Sequence, residues 1–204
     1  MIPLRRDMKV LDYGCGDGGF FEELNTRVPV ENLFGFDPYL LPEMTMKGPT
    51  TYDDVGELTR NHLAAFDAVY CMEVCEHLTD AALHDLFRNI RTVAKPDAVF
   101  VFGVPIETGL PGLIKNAYRV ARGGRQGATV GKALKSLLAL SIPRANDERG
   151  WIGSHIGFDY AYFRDMLDYG GFEVIRQNCL PFQKLNCVLN NEVYFICRRN
   201  GRHK

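Results

Sequence analysis

Apolar residues in this chain come as short continuous runs separated by helical stripes. Residues 8–13 form one run that stops at glycines, and Leu33–Phe36 a second that ends at Asp37-Pro38. Residues 50–54 are a weak third, 66–71 a fourth and 98–104 a fifth. Runs this short and this apolar predict strands buried on both faces. Residues 20–27 predict a short helix. Residues 81–93 carry Leu83, Leu86, Phe87 and Ile90 at i, i+3, i+4 and i+7, the stripe of an amphipathic helix. Lys95-Pro96-Asp97 reads as the break between that helix and the fifth strand. Strand and helix in alternation predict right-handed crossovers and a doubly wound α/β domain, a parallel sheet with helices on both faces. The pattern resumes after Trp151 with a helix over 160–169, a stop at Gly170-Gly171, strands over 172–176 and 192–197, and a turn at Asn190-Asn191.

Between these parts, residues 106–150 follow another rule. Two helical stripes, Leu110/Leu113/Ile114/Ala117 and Leu134/Leu137/Leu138, flank the glycine-rich stretch 123–127. The segment holds eight lysines and arginines against three acids, a local charge of +5, which leaves −6 for the rest of the chain. It reads as an insertion after the fifth strand of one domain spanning 1–204. Over all 204 residues the charge is −1, which argues against a protein that binds nucleic acid or a membrane by bulk charge. No apolar stretch reaches the roughly 18 residues that span a bilayer. The N-terminus lacks a signal-peptide pattern. The six cysteines form no Cys-x-x-Cys pair, and four lie in apolar runs as buried free thiols do, which reads as a soluble, cytoplasmic protein of a reducing compartment.

The densest chemistry lies at Asp12-Tyr13-Gly14-Cys15-Gly16-Asp17-Gly18-Gly19. A strand feeding a glycine turn and then a helix lets backbone approach a ligand at the carboxyl edge of a sheet. Gly14, Gly16 and Gly19 fit the dinucleotide fingerprint, with Asp37 placed to read a ribose, so a nicotinamide-dependent oxidoreductase is one reading. Asp12 and Asp17 oppose it, because both would sit beside a doubly anionic pyrophosphate. The same carboxylates suit a ligand bearing an amino group and a sulfonium.

On these residues the chain resembles the class I S-adenosylmethionine-dependent methyltransferases, of the type 11/23 kind. Asp12-x-Gly14-x-Gly16-x-Gly18 is similar to their first motif, and Phe34-Gly35-Phe36-Asp37 to their second strand. Phe66-Asp67-Ala68-Val69 and Lys95-Pro96-Asp97 match later landmarks. The resemblance implies a Rossmann-like, seven-stranded, mostly parallel sheet with an antiparallel last strand, and S-adenosylmethionine as cofactor. It implies that Gly14, Cys15, Gly16 and Gly18 bring backbone to the cofactor, with Asp12 on its amino-group side. Asp37 with Pro38 would hold the ribose, Asp53 or Asp54 the adenine, and Cys71-Met72 the methionine part. The family writes Pro-Gly-Gly where this chain has Pro96-Asp97-Ala98. Only seven residues precede Met8, so the helices that usually cover the cofactor are not expected there.

Met72-Glu73-Val74-Cys75-Glu76-His77 follows the fourth strand. In a helix, Glu73, Glu76 and His77 would share one face, and His155 could join them as a fourth ligand for Mg or Mn. The run resembles that of ubiquinone-type O-methyltransferases and of small-RNA 2′-O-methyltransferases. The competing readings are His77 or His155 as general base for an oxygen nucleophile, and either histidine as a hydrogen-bonded structural residue. His62, His84 and His203 read as surface residues. For 106–150 the choices are a solvated amphipathic pair, a substrate lid, or a peripheral contact with an anionic lipid or nucleic acid. Tyr118 is its lone aromatic residue, which disfavours nucleic-acid stacking. The lid is preferred. The expected function is methyl transfer to an oxygen of a small or lipid-linked acceptor. A non-catalytic cofactor-binding partner subunit is the other alternative, and the oligomeric state is left open.

Overall fold

The computed structural model describes residues 2–40 and 48–201; His203 lies outside them. Seven strands form one sheet: β1 (Val10–Tyr13), β2 (Leu33–Phe36), β3 (Thr50–Tyr52), β4 (Phe66–Met72), β5 (Ala94–Pro105), β6 (Phe172–Leu180) and β7 (Glu192–Arg199). Their order is β3-β2-β1-β4-β5-β7-β6. The first five pair in parallel, and β7 runs antiparallel to both β5 and β6. Strand order therefore reverses between β1 and β4, and a crevice opens at the carboxyl ends there. Among the described residues there are six α-helices: α1 (Gly19–Asn25), α2 (Val55–Asn61), α3 (Asp80–Val93), α4 (Gly109–Ala121), α5 (Val130–Leu137) and α6 (Tyr160–Tyr169).

Both faces of the sheet are covered, as its continuous apolar strands require. On one face Leu11, Phe34, Val69 and Phe102 pack against Leu83, Leu86, Phe87 and Ile90 of α3 and Phe163 and Leu167 of α6. On the other, Val10, Leu33, Ala68 and Tyr70 meet Phe21 and Leu24 of α1. Thr79 caps α3 through the Ala82 amide, and Asp159 caps α6 through the Ala161 amide. Three differences from the sequence reading have local causes. Lys95-Pro96-Asp97 lies within β5 at a register shift, where a bulge accommodates a residue that cannot donate. Asp54 leaves the third strand to cap the unforeseen helix α2, its carboxylate accepting from the Glu57 amide at 2.6 Å. Half-buried His62 is no surface residue, because its Nε2 shares a hydrogen bond with the Tyr52 hydroxyl at 2.8 Å.

The cysteines are not all thiols. Cys179 and Cys187 are joined by a disulfide across the connection between β6 and β7, while Cys15, Cys71, Cys75 and Cys197 are buried and free. The absence of Cys-x-x-Cys pairs missed a link made by a folded-back loop, so the cysteines give no argument for a reducing compartment. No helix among the described residues is long and apolar enough to cross a membrane.

The insertion is turned inside out relative to expectation. Its buried residues are mostly small or polar: Gly112 and Asn116 of α4, Ala133 and Ser136 of α5. Asn116 donates to the Ser136 hydroxyl at 2.9 Å across the helix pair. A Cβ at Gly112 would lie 2.1 Å from the Glu107 carbonyl oxygen, so this close approach needs glycine. Leu110, Ile114, Leu134 and Leu138 instead face solvent, Ile114 at 56% and Leu138 at 67% exposure. The sequence stripes are real, but they point outward.

Candidate functional site

The β1–α1 loop is stitched to the end of β2. The amides of Gly14 and Cys15 both donate to the Phe36 carbonyl, at 2.7 and 3.1 Å, and the Gly16 amide donates to Asp37 Oδ2 at 2.9 Å. Gly14, Gly16 and Gly18 take positive φ of 89°, 49° and 76°. A Cβ at Gly16 would meet nothing within 4 Å, whereas one at Gly14 would lie 2.2 Å from Val74. The loop thus opens at Gly16 into a cleft of about 410 Å³, lined also by Tyr13, Asp37, Pro38, Glu73, Asn89 and Trp151. Asp12 lies buried beneath the loop, and its Oδ1 has no hydrogen-bond partner. Burial, reinforced by the Asp37 charge, pushes its carboxyl up to about 7.

These residues fit a ligand with a cationic amino group: an orphaned buried acid, bare backbone at Gly16 and a carboxylate at the second strand's end. Others expected to contact it are turned elsewhere. The Cys15 sulfur is buried against Gly35, so this residue can offer only its backbone. Cys71 points into the core, its sulfur 3.6 Å from that of Cys75, and Met72 packs over Gly103. Asp53 is exposed and Asp54 is occupied as a cap; neither lines the cleft.

After β4 the chain does not continue as an α-helix. Glu73 takes φ 55°, and a single 3₁₀ turn covers Cys75–His77. This corrects the shared helical face: Glu73 lines the cleft with its carboxyl still against that of Glu76, while Glu76 and His77 meet His155. Left-handed backbone at a non-glycine residue costs roughly 1–3 kcal/mol and is concentrated at functional sites. The ligand atoms of Glu76, His77 and His155 lie within 4.8 Å of one another. Both Glu76 oxygens are buried without partners. Burial first, then the Glu73 charge, drives the Glu76 carboxyl up to about 9.

The His77 tautomer follows from its partner. Nδ1 lies 2.7 Å from the Ile152 carbonyl, which can only accept, so Nδ1 carries the proton and Nε2 presents a lone pair. His155 Nε2 faces that lone pair at 3.1 Å. Burial lowers the pKa of both rings, His155 to about 4, so both are neutral near pH 7. Trp151 stacks on His77 with centroids 4.2 Å apart and planes 11° from parallel. Behind this cluster is a second cavity of about 540 Å³, which shares Leu78 with the cleft. Ser136 and residues 139–144 of the insertion form one of its walls, including Arg144 over the Phe158 ring at 5.4 Å. Trp151 and Arg144 escaped the sequence reading, since neither lies in a motif; that Trp151 is the chain's single tryptophan was the available signal.

A methyltransferase-domain family profile matches residues 2–139. Ubiquinone biosynthesis O-methyltransferase of Yersinia enterocolitica is 34% identical over 104 residues, covering 47% of this chain and 42% of that protein. Its counterpart from Actinobacillus pleuropneumoniae is 30% identical over 107 residues, covering 46% and 44%. The chain thus spans less than half the length of these curated relatives. Among solved structures, a SAM-dependent methyltransferase from Archaeoglobus fulgidus superposes with a TM-score of 0.61 at 16% identity, covering 97% of this chain and 89% of that one. The 1,6-didemethyltoxoflavin-N1-methyltransferase of Burkholderia thailandensis, solved with its substrate and S-adenosylhomocysteine, gives 0.60 at 16%, covering 96% and 72%.

The Asp12 environment predicts a pH dependence. Folded, Asp12 keeps its proton to about pH 7, whereas the ordinary pKa of an exposed aspartate is 3.8. The unfolded chain therefore binds fewer protons between these limits, and stability falls as pH rises through them. Without ligand, Asp12→Asn gains on the wild type by about 2–3 kcal/mol between pH 5 and pH 8 in urea unfolding. An offset that stays constant with pH would show that Asp12 is ionised throughout.

Proposed function

We propose, for a chain that belongs to the methyltransferase-domain family, that it transfers the methyl group of S-adenosylmethionine to an oxygen of a small or lipid-linked acceptor. The observation that carries this reading is the buried, unpartnered Asp12 beneath an open glycine loop. When bound, the cofactor supplies an electrophilic methyl on a sulfonium. Gly14, Gly16 and Gly18 provide backbone approach, and Asp12 provides countercharge on the amino-group side. Asp37 accepts from the Gly16 and Tyr39 amides, at 2.9 Å each, and retains lone pairs for two ribose hydroxyls. Asp53 remains for the adenine, since Asp54 is a cap. Cys71-Met72 serve the methionine part through backbone alone. A nicotinamide cofactor fits worse, because its pyrophosphate would add two negative charges beside Asp12 and Asp37. The oxygen acceptor draws support from the curated relatives, which are O-methyltransferases.

His77 or His155 would take the proton that an acceptor hydroxyl loses, and both are neutral and therefore able to accept it. The same groups fit a divalent cation, Mg or Mn: an orphaned carboxylate and two facing imidazole nitrogens. Glu76, His77 and His155 would hold it, with His155 in its other tautomer, and the Glu73 carboxyl would lie behind that of Glu76. A cation there would polarise an acceptor oxygen. Residues 106–150 act as substrate lid, which their contribution of Ser136 and residues 139–144 to the cavity wall supports. No acid occurs from Thr108 to Asn146, and the outer face of α4 and α5 is apolar, so this lid suits an anionic bilayer surface.

Isothermal titration is expected to show one S-adenosylhomocysteine per chain, weakened about tenfold or more in Asp37→Ala, a loss on the scale of charge-assisted hydrogen bonds. Absence of binding, or NADH binding in its place, would end the methyltransferase reading; cofactor binding with no turnover on any acceptor would favour the partner-subunit alternative. Paramagnetic resonance of added Mn²⁺ is expected to show a bound ion that Glu76→Gln releases. If the free-ion spectrum is unchanged by the wild type, the cluster serves proton transfer alone. In flotation assays the chain should partition onto phosphatidylglycerol vesicles over phosphatidylcholine ones. Leu134→Asp with Leu138→Asp should remove that partition, while equal partition of both proteins would refute the membrane contact.

A further inference from the structure

We propose that the cavity of about 540 Å³ beside the cofactor cleft binds its ligand through an anionic group, carboxylate or phosphate, paired with Arg144, and through an apolar body. This rests on the reading of that cavity as the acceptor site. Arg144 lies in the connection after α5 and is half-buried in the cavity wall. Its Nη2 donates to two carbonyl oxygens, those of Glu76 and Ser154. Its Nε is buried without a partner. Among the described residues, no carboxylate lies within 4.0 Å of the guanidinium.

The Glu76, Glu107 and Asp80 carboxyls act on Arg144 through space, but none of the wall's acids hydrogen-bonds to it. Glu107 is bound by Lys115 and Arg119, Asp80 accepts from the Tyr162 hydroxyl at 2.8 Å, and Asp159 caps α6. Arginine cannot shed its proton to escape burial. A half-withdrawn cation that touches only neutral carbonyls is costly until an anion arrives. Such an anion would meet a planar donor fork seated on the face of Phe158. Leu78, Leu83, Ile142 and Ile152 leave apolar wall for the rest of the ligand. The predicted ligand is therefore an amphiphile with one anionic group near its reactive end.

The test uses 4-hexylbenzoate, its neutral amide and hexyl phosphate, titrated calorimetrically into the protein with S-adenosylhomocysteine present. The acid or the phosphate is expected to bind about tenfold or more tighter than the amide, the scale of one charge-assisted contact. Whichever is tighter identifies the anion. Arg144→Met should bring acid and amide within about twofold, and Arg144→Lys should keep part of the preference. Equal affinities of acid, phosphate and amide for the wild type, or no binding of any of them, overturn the proposal without reference to the variants. So does a preference that survives in Arg144→Met. Titrating S-adenosylhomocysteine first separates the two readings: its failure to bind counts against the cofactor assignment, while its binding with no discrimination among probes counts against the Arg144 site alone.

Discussion

The placement of the insertion depends on one buried ion-pair cluster. The Glu107 side chain, fully buried beyond the end of β5, accepts from both guanidinium nitrogens of Arg119, at 2.5 and 3.0 Å, and from Lys115 at 3.3 Å. Such a carboxylate must be paired where it lies, since removing one partner of a buried pair costs about 3–5 kcal/mol. That requirement turns the polar side of α4 toward the sheet. Asn116 and Ser136 then close the contact with α5, and the leucines have only the outside left to face. The cavity wall and the apolar outer face are thus two results of one constraint.

A second concentration of uncompensated charge lies at the carboxyl ends of β1 and β4. Asp12 Oδ1 and both Glu76 oxygens are buried without hydrogen-bond partners, and each acid is raised in pKa by burial and by a neighbouring carboxylate. A fold organised for stability alone would remove them. Buried acids of raised pKa and left-handed backbone at a non-glycine residue such as Glu73 are features that concentrate at functional sites.

Much of this was legible in sequence because parallel strands are buried on both faces and so read as unbroken apolar runs. The glycine loop, Asp12 and Asp37 could be singled out from motif and family resemblance, as could the meeting of Glu76 and His77 with His155, which lies 78 positions after His77. What could not be read is direction. Periodicity reports which residues share a helix face but not whether that face meets the core. For Leu134 and Leu138 the answer came from Glu107, a residue outside their helix. The turn at Glu73, the disulfide at Cys179 and the capping use of Asp54 likewise depend on partners whose proximity only the folded chain creates.

The stacking of Trp151 on His77 has a practical consequence. It is the chain's single tryptophan, it lies flat against the imidazole of the acid–histidine cluster, and it also lines the cofactor cleft. Protonated imidazole quenches indole emission where neutral imidazole does so weakly. Excited at the red edge, where the nine tyrosines do not absorb, the unlabelled protein therefore emits from one indole stacked on His77, an optical gauge of the charge on that ring.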